Sequence, residues 1–112
     1  MTPTRSDAVP RAPTNLTVIA VSPTSLWVTW DAPPVDPSAP LAHYKLYYHS
    51  AGDQSSEADV TVVETSFALI GLLKFHAYTL RVVAYNRHGP SAGSEEVTVR
   101  TYSDGERVIM GV

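Results

Sequence analysis

The chain has 112 residues, of which 44% are hydrophobic and 17% are charged, and its formal net charge is −3. This favours one soluble globular domain without a membrane-spanning run, and the negative charge argues against nucleic acid or an anionic membrane surface as a partner. Because the chain has no cysteine, disulfides and thiolate metal sites are excluded.

The two ends of the chain have the composition of linkers. Residues 1–11 mix Pro, Ser, Thr and Arg without a period, and residues 103–112 begin with a polar run. We predict flexible linkers at 1–11 and 103–112, with one domain at 12–102 between them. Residues 1–11 lack the apolar stretch of a secretory signal, so an exported protein would have to contain this chain as one part of a longer one.

Between the ends, short runs of alternating apolar and polar residues are separated by turn formers. The predicted strands, in chain order, are residues 16–19, 26–30, 44–48, 60–62, 67–70, 78–85 and 96–101. A proline-rich loop at 31–40 separates the second strand from the third, and no helical period of useful length occurs. Seven short strands with turns at this spacing predict an all-β, two-sheet Greek-key sandwich.

Alternation also predicts which side chains face the core. The predicted inward side chains are Leu26, Val28 and Trp30 on the second strand, and Tyr44, Leu46 and Tyr48 on the third. Their neighbours in sequence should then point outward.

Residues 89–93 fit the G-x-S-x-G pattern of a hydrolase nucleophile elbow, and His88 stands beside them. An elbow needs a helix after its serine, whereas a strand pattern follows here at 96–101. We therefore predict a hairpin with Ser91 at the tip of its loop, and we expect no enzyme activity, catalytic residue or cofactor.

Five stretches together form a recognisable family pattern: Pro13–Val18, Ser25–Pro33 with the core Trp30, Tyr44–Tyr48, Gly71–Leu72, and Tyr78 with Arg81–Gly89. They extend over nearly all of residues 12–102 and resemble the fibronectin type III family. The chain departs from the family at the tyrosine corner, where Lys74 and His76 replace the usual Pro and Thr. The resemblance implies that the Tyr78 hydroxyl bonds to a main-chain acceptor upstream.

Residues 81–86 followed by Gly89–Ser91 are similar to modules of the DCC, neogenin and Punc group of cell-surface receptors. This resemblance implies an extracellular module of a single-pass plasma-membrane protein of the adhesion or guidance type. It implies a protein ligand or neighbouring receptor modules as partners, and a monomeric module without direct membrane contact. A purely structural spacer and an intracellular or accessory module remain as alternatives.

The first candidate surface comes from the outward positions of the third and sixth strands, which are neighbours in the family. Its candidate protein-binding residues are Tyr47, Arg81, Val83 and Tyr85. Aromatic and guanidinium groups are enriched where interfaces bind most tightly. Cross-strand packing alone would also explain these residue types.

The opposite sheet offers a second candidate surface, with Ile19, Trp27, Ala68 and Ile70 predicted to point outward. An exposed tryptophan beside two isoleucines would suit a neighbouring module, a linker or a second copy of the chain.

Two polar features complete the candidates. Asn15-Leu16-Thr17 is an N-glycosylation sequon, although such a triplet also arises by chance. The four histidines, His43, His49, His76 and His88, are predicted to be solvated surface residues rather than metal ligands. His43 and His49 should lie about 20 Å apart along one strand, too far to share an ion.

Overall fold

A computed structural model describes residues 8–104. Its strands are β1 (Thr14–Ser22), β2 (Ser25–Asp31), β3 (His43–Ser50), β4 (Ala58–Val62), β5 (Ser66–Leu69), β6 (Ala77–Asn86), β7 (Gly89–Pro90) and β8 (Val97–Arg100). All seven predicted strands are present, and the two-residue β7 is an addition. Within residues 8–104, no helix is long and apolar enough to span a bilayer.

The strands form two antiparallel sheets. One sheet has the order β1-β2-β5, and the other has the order β4-β3-β6, with β7 and β8 both paired to β6. The chain changes sheet between β2 and β3, again between β4 and β5, and once more between β5 and β6. The predicted all-β, two-sheet sandwich is therefore confirmed.

The core lies between the inward faces of the two sheets. Leu26, Val28 and Leu46 have no exposed surface, and Trp30 meets Tyr44 edge-on with 5.4 Å between ring centroids. Tyr48 is partly buried and packs against the same cluster. The inward side chains predicted from alternation are thus confirmed on both strands.

The tyrosine corner is present, but the polarity of its hydrogen bond is opposite to the prediction. The Leu73 backbone N–H donates to the Tyr78 hydroxyl at 2.9 Å, so the main-chain partner is a donor. Thr101 braces the same turn, because its hydroxyl accepts from the His76 N–H at 2.9 Å and donates to the Leu73 carbonyl at 2.7 Å. The loop between β5 and β6 is therefore held from both sides.

The predicted position of Ser91 at a loop tip is wrong. Ser91 is only 8% exposed, its N–H donates to the Ala84 carbonyl at 2.7 Å, and its hydroxyl accepts from the Ala84 N–H at 2.9 Å. Ser94 makes the same pair of bonds to Val82, at 2.9 and 3.0 Å. Alongside β6, these two serine hydroxyls thus act as the acceptors that main-chain carbonyls provide in a regular ladder. The chain reverses direction before the predicted loop tip, at residues 87–88.

The linker predictions for residues 1–7 and 105–112 fall outside the described residues. Next to them, Ala8 lies against the domain, since its carbonyl accepts from the Asn86 side-chain amide at 3.1 Å. At the other end, Asp104 lies 2.9 Å from the Lys74 ammonium group.

Candidate functional site

Arg81 and Tyr47 form the centre of the first candidate surface. They are directly opposite each other on β6 and β3, and the guanidinium carbon lies 4.2 Å from the centroid of the tyrosine ring. A guanidinium over an aromatic face is attracted to the negative charge of the ring's π system. The planar groups therefore lie together on the outer surface of the sheet, both partly exposed.

Tyr85 extends this arrangement along β6. Its hydroxyl lies 3.2 Å from the Tyr47 hydroxyl, and its ring stacks on His43 with 4.6 Å between centroids. The hydrogen bond to Tyr85, together with partial burial, raises the pKa of Tyr47 to about 12. Lys45 adds a positive charge 5.8 Å from the centroid of the Tyr85 ring.

Glu57 orients the other end of the guanidinium. One of its carboxylate oxygens lies 3.3 Å from an Arg81 nitrogen, and both side chains are about one-third exposed, at 34% and 32%. An ion pair exposed to solvent to this extent contributes little to stability, about 0–1 kcal/mol. Its effect here is to limit the rotamers available to Arg81, which also lies on Tyr47.

Val83 does not belong to this exposed surface, contrary to the prediction. The alternation of side chains along β6 places Val83 on the outer face with Arg81, yet Val83 is only 4% exposed. A β-carbon placed on Gly93 would lie 4.0 Å from Val83 and 3.4 Å from Arg81. The segment that Ser91 and Ser94 tie to β6 therefore covers Val83, and its Gly93 lies against the side chain of Arg81.

The tyrosine–arginine surface is therefore formed by Tyr47, Arg81, Tyr85, His43, Lys45 and Glu57. Of these residues, His43, Lys45 and Glu57 were not predicted to belong to the surface. The parity of β3 places His43 and Lys45 on the face of Tyr47, so alternation could have found those two. Nothing in the local sequence indicates Glu57, because its position depends on the turn before β4.

The opposite sheet carries the predicted apolar surface. Ile19, Trp27 and Ala68 are paired in one row across β1, β2 and β5. Ile19 is 51% exposed, Trp27 is 40% exposed, and Ile70, directly after β5, is 72% exposed. Val21 lies on the same face of β1 as Ile19 and is equally exposed, so it belongs to this surface although it was not predicted there.

Asn15 lies at an irregularity of β1, where the pairing with β2 shifts between Thr14 and Thr17. Its φ angle is +57°, a left-handed conformation that asparagine tolerates better than most residues. Both Asn15 and Thr17 are exposed, and the Asn15 amide donates to the Asp31 carboxylate at 2.6 Å.

The histidines do not all behave as predicted. His49 is only 7% exposed, and its Nδ1 lies 2.8 Å from the Ser50 carbonyl, so it is not a solvated surface residue. His76 lies 2.8 Å from the Ser50 hydroxyl. Among residues 8–104, no group of three or more His, Asp and Glu side chains is arranged to hold a metal ion.

Ser91 is poorly placed to act as a nucleophile. Its hydroxyl accepts from the Ala84 N–H and donates to the Ala92 carbonyl at 2.7 Å, so both hydrogen-bonding roles are occupied by backbone. A strand, β8, follows the motif where a nucleophile elbow requires a helix.

Comparison with known proteins identifies the family. A 90-residue segment, 80% of this chain, is 47% identical to neogenin of Homo sapiens, and it covers 6% of that protein. A 96-residue segment, 86% of this chain, is 40% identical to the netrin receptor DCC of Rattus norvegicus, again covering 6%. The chain thus spans a small fraction of the length of either relative.

A crystal structure of domains from titin matches the fold, with a TM-score of 0.76 and 28% identity over 85% of this chain and 33% of that one. The sequence profile of the fibronectin type III domain matches residues 11–100. This match covers the whole described sandwich, from the segment before β1 to the end of β8. The chain therefore belongs to the fibronectin type III domain family.

Proposed function

We propose that the chain is a non-catalytic, extracellular module of a multidomain cell-surface receptor of the adhesion or guidance type. It spaces neighbouring modules and binds a protein ligand through the tyrosine–arginine surface. The similarity to neogenin and to the netrin receptor DCC supports the receptor context and a place outside the membrane of a single-pass protein. The isolated module is a monomer that contacts neither nucleic acid nor lipid directly.

The observation that carries this proposal is the stack of Arg81 on Tyr47, linked to Tyr85 by a hydroxyl–hydroxyl hydrogen bond. Tyrosine and arginine give large contact areas, and their polar ends can bond a partner when desolvated. Because stacking and Glu57 already restrict Arg81, it loses less conformational freedom on binding than an isolated arginine would.

The guanidinium group of Arg81 indicates what this surface binds. Arg81 and Lys45 stand on adjacent strands beside two tyrosine hydroxyls, and their charges are balanced by Glu57 and by Asp59, which is paired with Tyr47 on β4. Carboxylates match a guanidinium fork in geometry, so a protein surface with an accessible Asp or Glu beside an apolar contact complements it.

The test is to screen the folded chain against secreted and cell-surface proteins. The wild type is compared with a Tyr47→Ala, Arg81→Ala, Tyr85→Ala variant of equal thermal stability. The matched control is Arg100→Ala, because Arg100 stacks on Phe75 with 4.7 Å between its guanidinium carbon and the ring centroid, outside the candidate surface.

A ligand that the wild type and Arg100→Ala both bind, and that the triple variant loses, supports the proposal. Equal binding by all three proteins contradicts the assignment of the surface. Failure of the wild type to bind any extracellular protein favours the spacer alternative.

The exposed apolar row on the other sheet favours a second contact. Trp27 lies between Ile19 and Ala68, and side chains of this size are seldom left exposed in a row without a partner. We assign this surface to a neighbouring receptor module. A two-module fragment should therefore lose interdomain order on Trp27→Ser, measured by small-angle scattering, while the isolated chain stays folded.

A further inference from the structure

We propose that Asn15 carries an N-linked glycan that lies over the hollow between the start of β1 and the segment that leads into β8. The proposal rests on the extracellular location in the proposed function, but it does not depend on which surface binds a ligand. The chain contains two asparagines, and Asn86 is followed by Arg87 and His88, so Asn15 is its one sequon.

The fold leaves room for the modification. Asn15 and Thr17 are both exposed, and the left-handed backbone at Asn15 occurs where β1 departs from regular pairing. The amide has two N–H groups, and glycosylation replaces only one of them. The other can still donate to Asp31, which accepts at 2.6 Å in the unmodified chain.

A surface hollow of about 410 Å³ lies beside the amide. Pro13, Leu16 and Val97 give it an apolar part, and Glu95 contributes a carboxylate. The first sugar of an N-linked glycan has an apolar ring face, an acetyl methyl group and hydroxyl donors. These groups complement the two parts of the hollow, so the glycan has a surface to pack on.

The position explains what the glycan would do. β1 is the edge strand of its sheet, and β8 of the other sheet lies close beside it at this corner of the sandwich. A glycan at the start of β1 shields this part of the corner from a strand of another chain. It lies on the sheet that does not contain Tyr47 and Arg81, so it leaves the tyrosine–arginine surface free.

Attachment of the glycan is a group-transfer reaction that needs no oxidant or reductant. The Asn15 amide nitrogen forms a bond to C1 of the sugar of a lipid-linked oligosaccharide diphosphate. The bond from C1 to the diphosphate oxygen breaks, the lipid diphosphate leaves, and the amide proton passes to a base of the transferring enzyme. The Thr17 hydroxyl is the part of the sequon that this enzyme recognises.

The test is to secrete the whole chain from animal cells behind a cleavable leader and to map carbohydrate by mass spectrometry. We expect wild type and Thr17→Ser to carry a glycan that peptide N-glycosidase removes, leaving aspartate at position 15. Thr17→Ala should be secreted without it. This variant keeps Asn15 and its hydrogen bond to Asp31, so any change it causes in glycosylation comes from loss of the sequon. Asn15→Gln would remove the sequon and the structural amide together.

Secreted wild type with unmodified Asn15 would overturn the proposal. Carbohydrate that peptide N-glycosidase still releases from Thr17→Ala would also overturn it, because the N-linked sugar would then not depend on the Asn15 sequon. Neither result involves ligand capture, so failure here is distinguishable from failure of the proposed function.

Discussion

Arg81 stacks on the ring of Tyr47, its partner directly across β6 and β3, with 4.2 Å between guanidinium carbon and ring centroid. The two side chains stand on the outer face of the sheet, whereas the core lies on the other face. Their arrangement therefore contributes more to the shape of the surface than to the stability of the fold.

The first prediction concerns stability. Arg81→Lys keeps the charge but loses the planar group, and we expect the free energy of unfolding to fall by no more than about 1 kcal/mol. Urea denaturation measures it, with Arg100→Lys as the matched control because Arg100 also stacks on an aromatic ring. A loss of several kcal/mol at Arg81 would show that the stack is mainly a structural element.

The second prediction concerns the serines that extend the ladder of β6. Ser91→Ala leaves the buried Ala84 N–H without its acceptor, and Ser94→Ala does the same to Val82. An orphaned buried donor costs about 1–3 kcal/mol, so each variant should lose that amount of unfolding free energy. The exposed Ser55→Ala is the control. Changes no larger than the control's would mean that water replaces both hydroxyls.

The third prediction concerns the tyrosine corner. Tyr78→Phe removes the acceptor of the Leu73 N–H and should lower the free energy of unfolding by about 1 kcal/mol, or about 4–8 °C in Tm. Tyr48→Phe is the matched control, because the described residues give its hydroxyl no hydrogen bond. Equal Tm values for the two variants would contradict a structural role for the corner bond.

The fourth prediction concerns pH. The Tyr85 hydroxyl raises the pKa of Tyr47 to about 12 from an ordinary value of 10.0. Between pH 10 and about 12 the Tyr47 hydroxyl therefore loses its proton more readily in the unfolded chain than in the folded chain. The stability that its hydrogen bond to Tyr85 contributes is fully present below pH 10 and is lost as the pH rises to about 12. We expect Tyr85→Phe to lower the pKa of Tyr47.

Phenolate absorbance, taken as the difference from Tyr47→Phe, reports this ionisation while the protein stays folded. An ordinary pKa for Tyr47 in the wild type would contradict the hydrogen bond to Tyr85.

Alternation in the sequence predicted much of the fold because a strand has two faces and only one meets the core. It placed Leu26 and Trp30 inward and Trp27 outward, as the structure has them. It failed at Val83, since parity along β6 gives no information about the segment that later covers its outer face. That segment was itself mistaken for a loop, because serine hydroxyls take the place of its own carbonyls as the acceptors for the N–H groups of β6.

The candidate site was predicted less completely than the fold. Tyr47, Arg81 and Tyr85 share a face because they lie on paired strands at matching parity. Glu57 reaches Arg81 from the turn before β4, and no periodic pattern extends through a turn. Side chains that come from irregular segments are therefore found only with the three-dimensional structure.

The central claim is that the tyrosine–arginine surface binds a protein. The most direct test is the affinity of a captured ligand for wild type, Arg81→Lys and Arg100→Lys, measured by calorimetry at equal salt. We predict a loss of about tenfold or more for Arg81→Lys and no change for Arg100→Lys, because only Arg81 would lie in the interface. Equal affinity for all three proteins would contradict the claim.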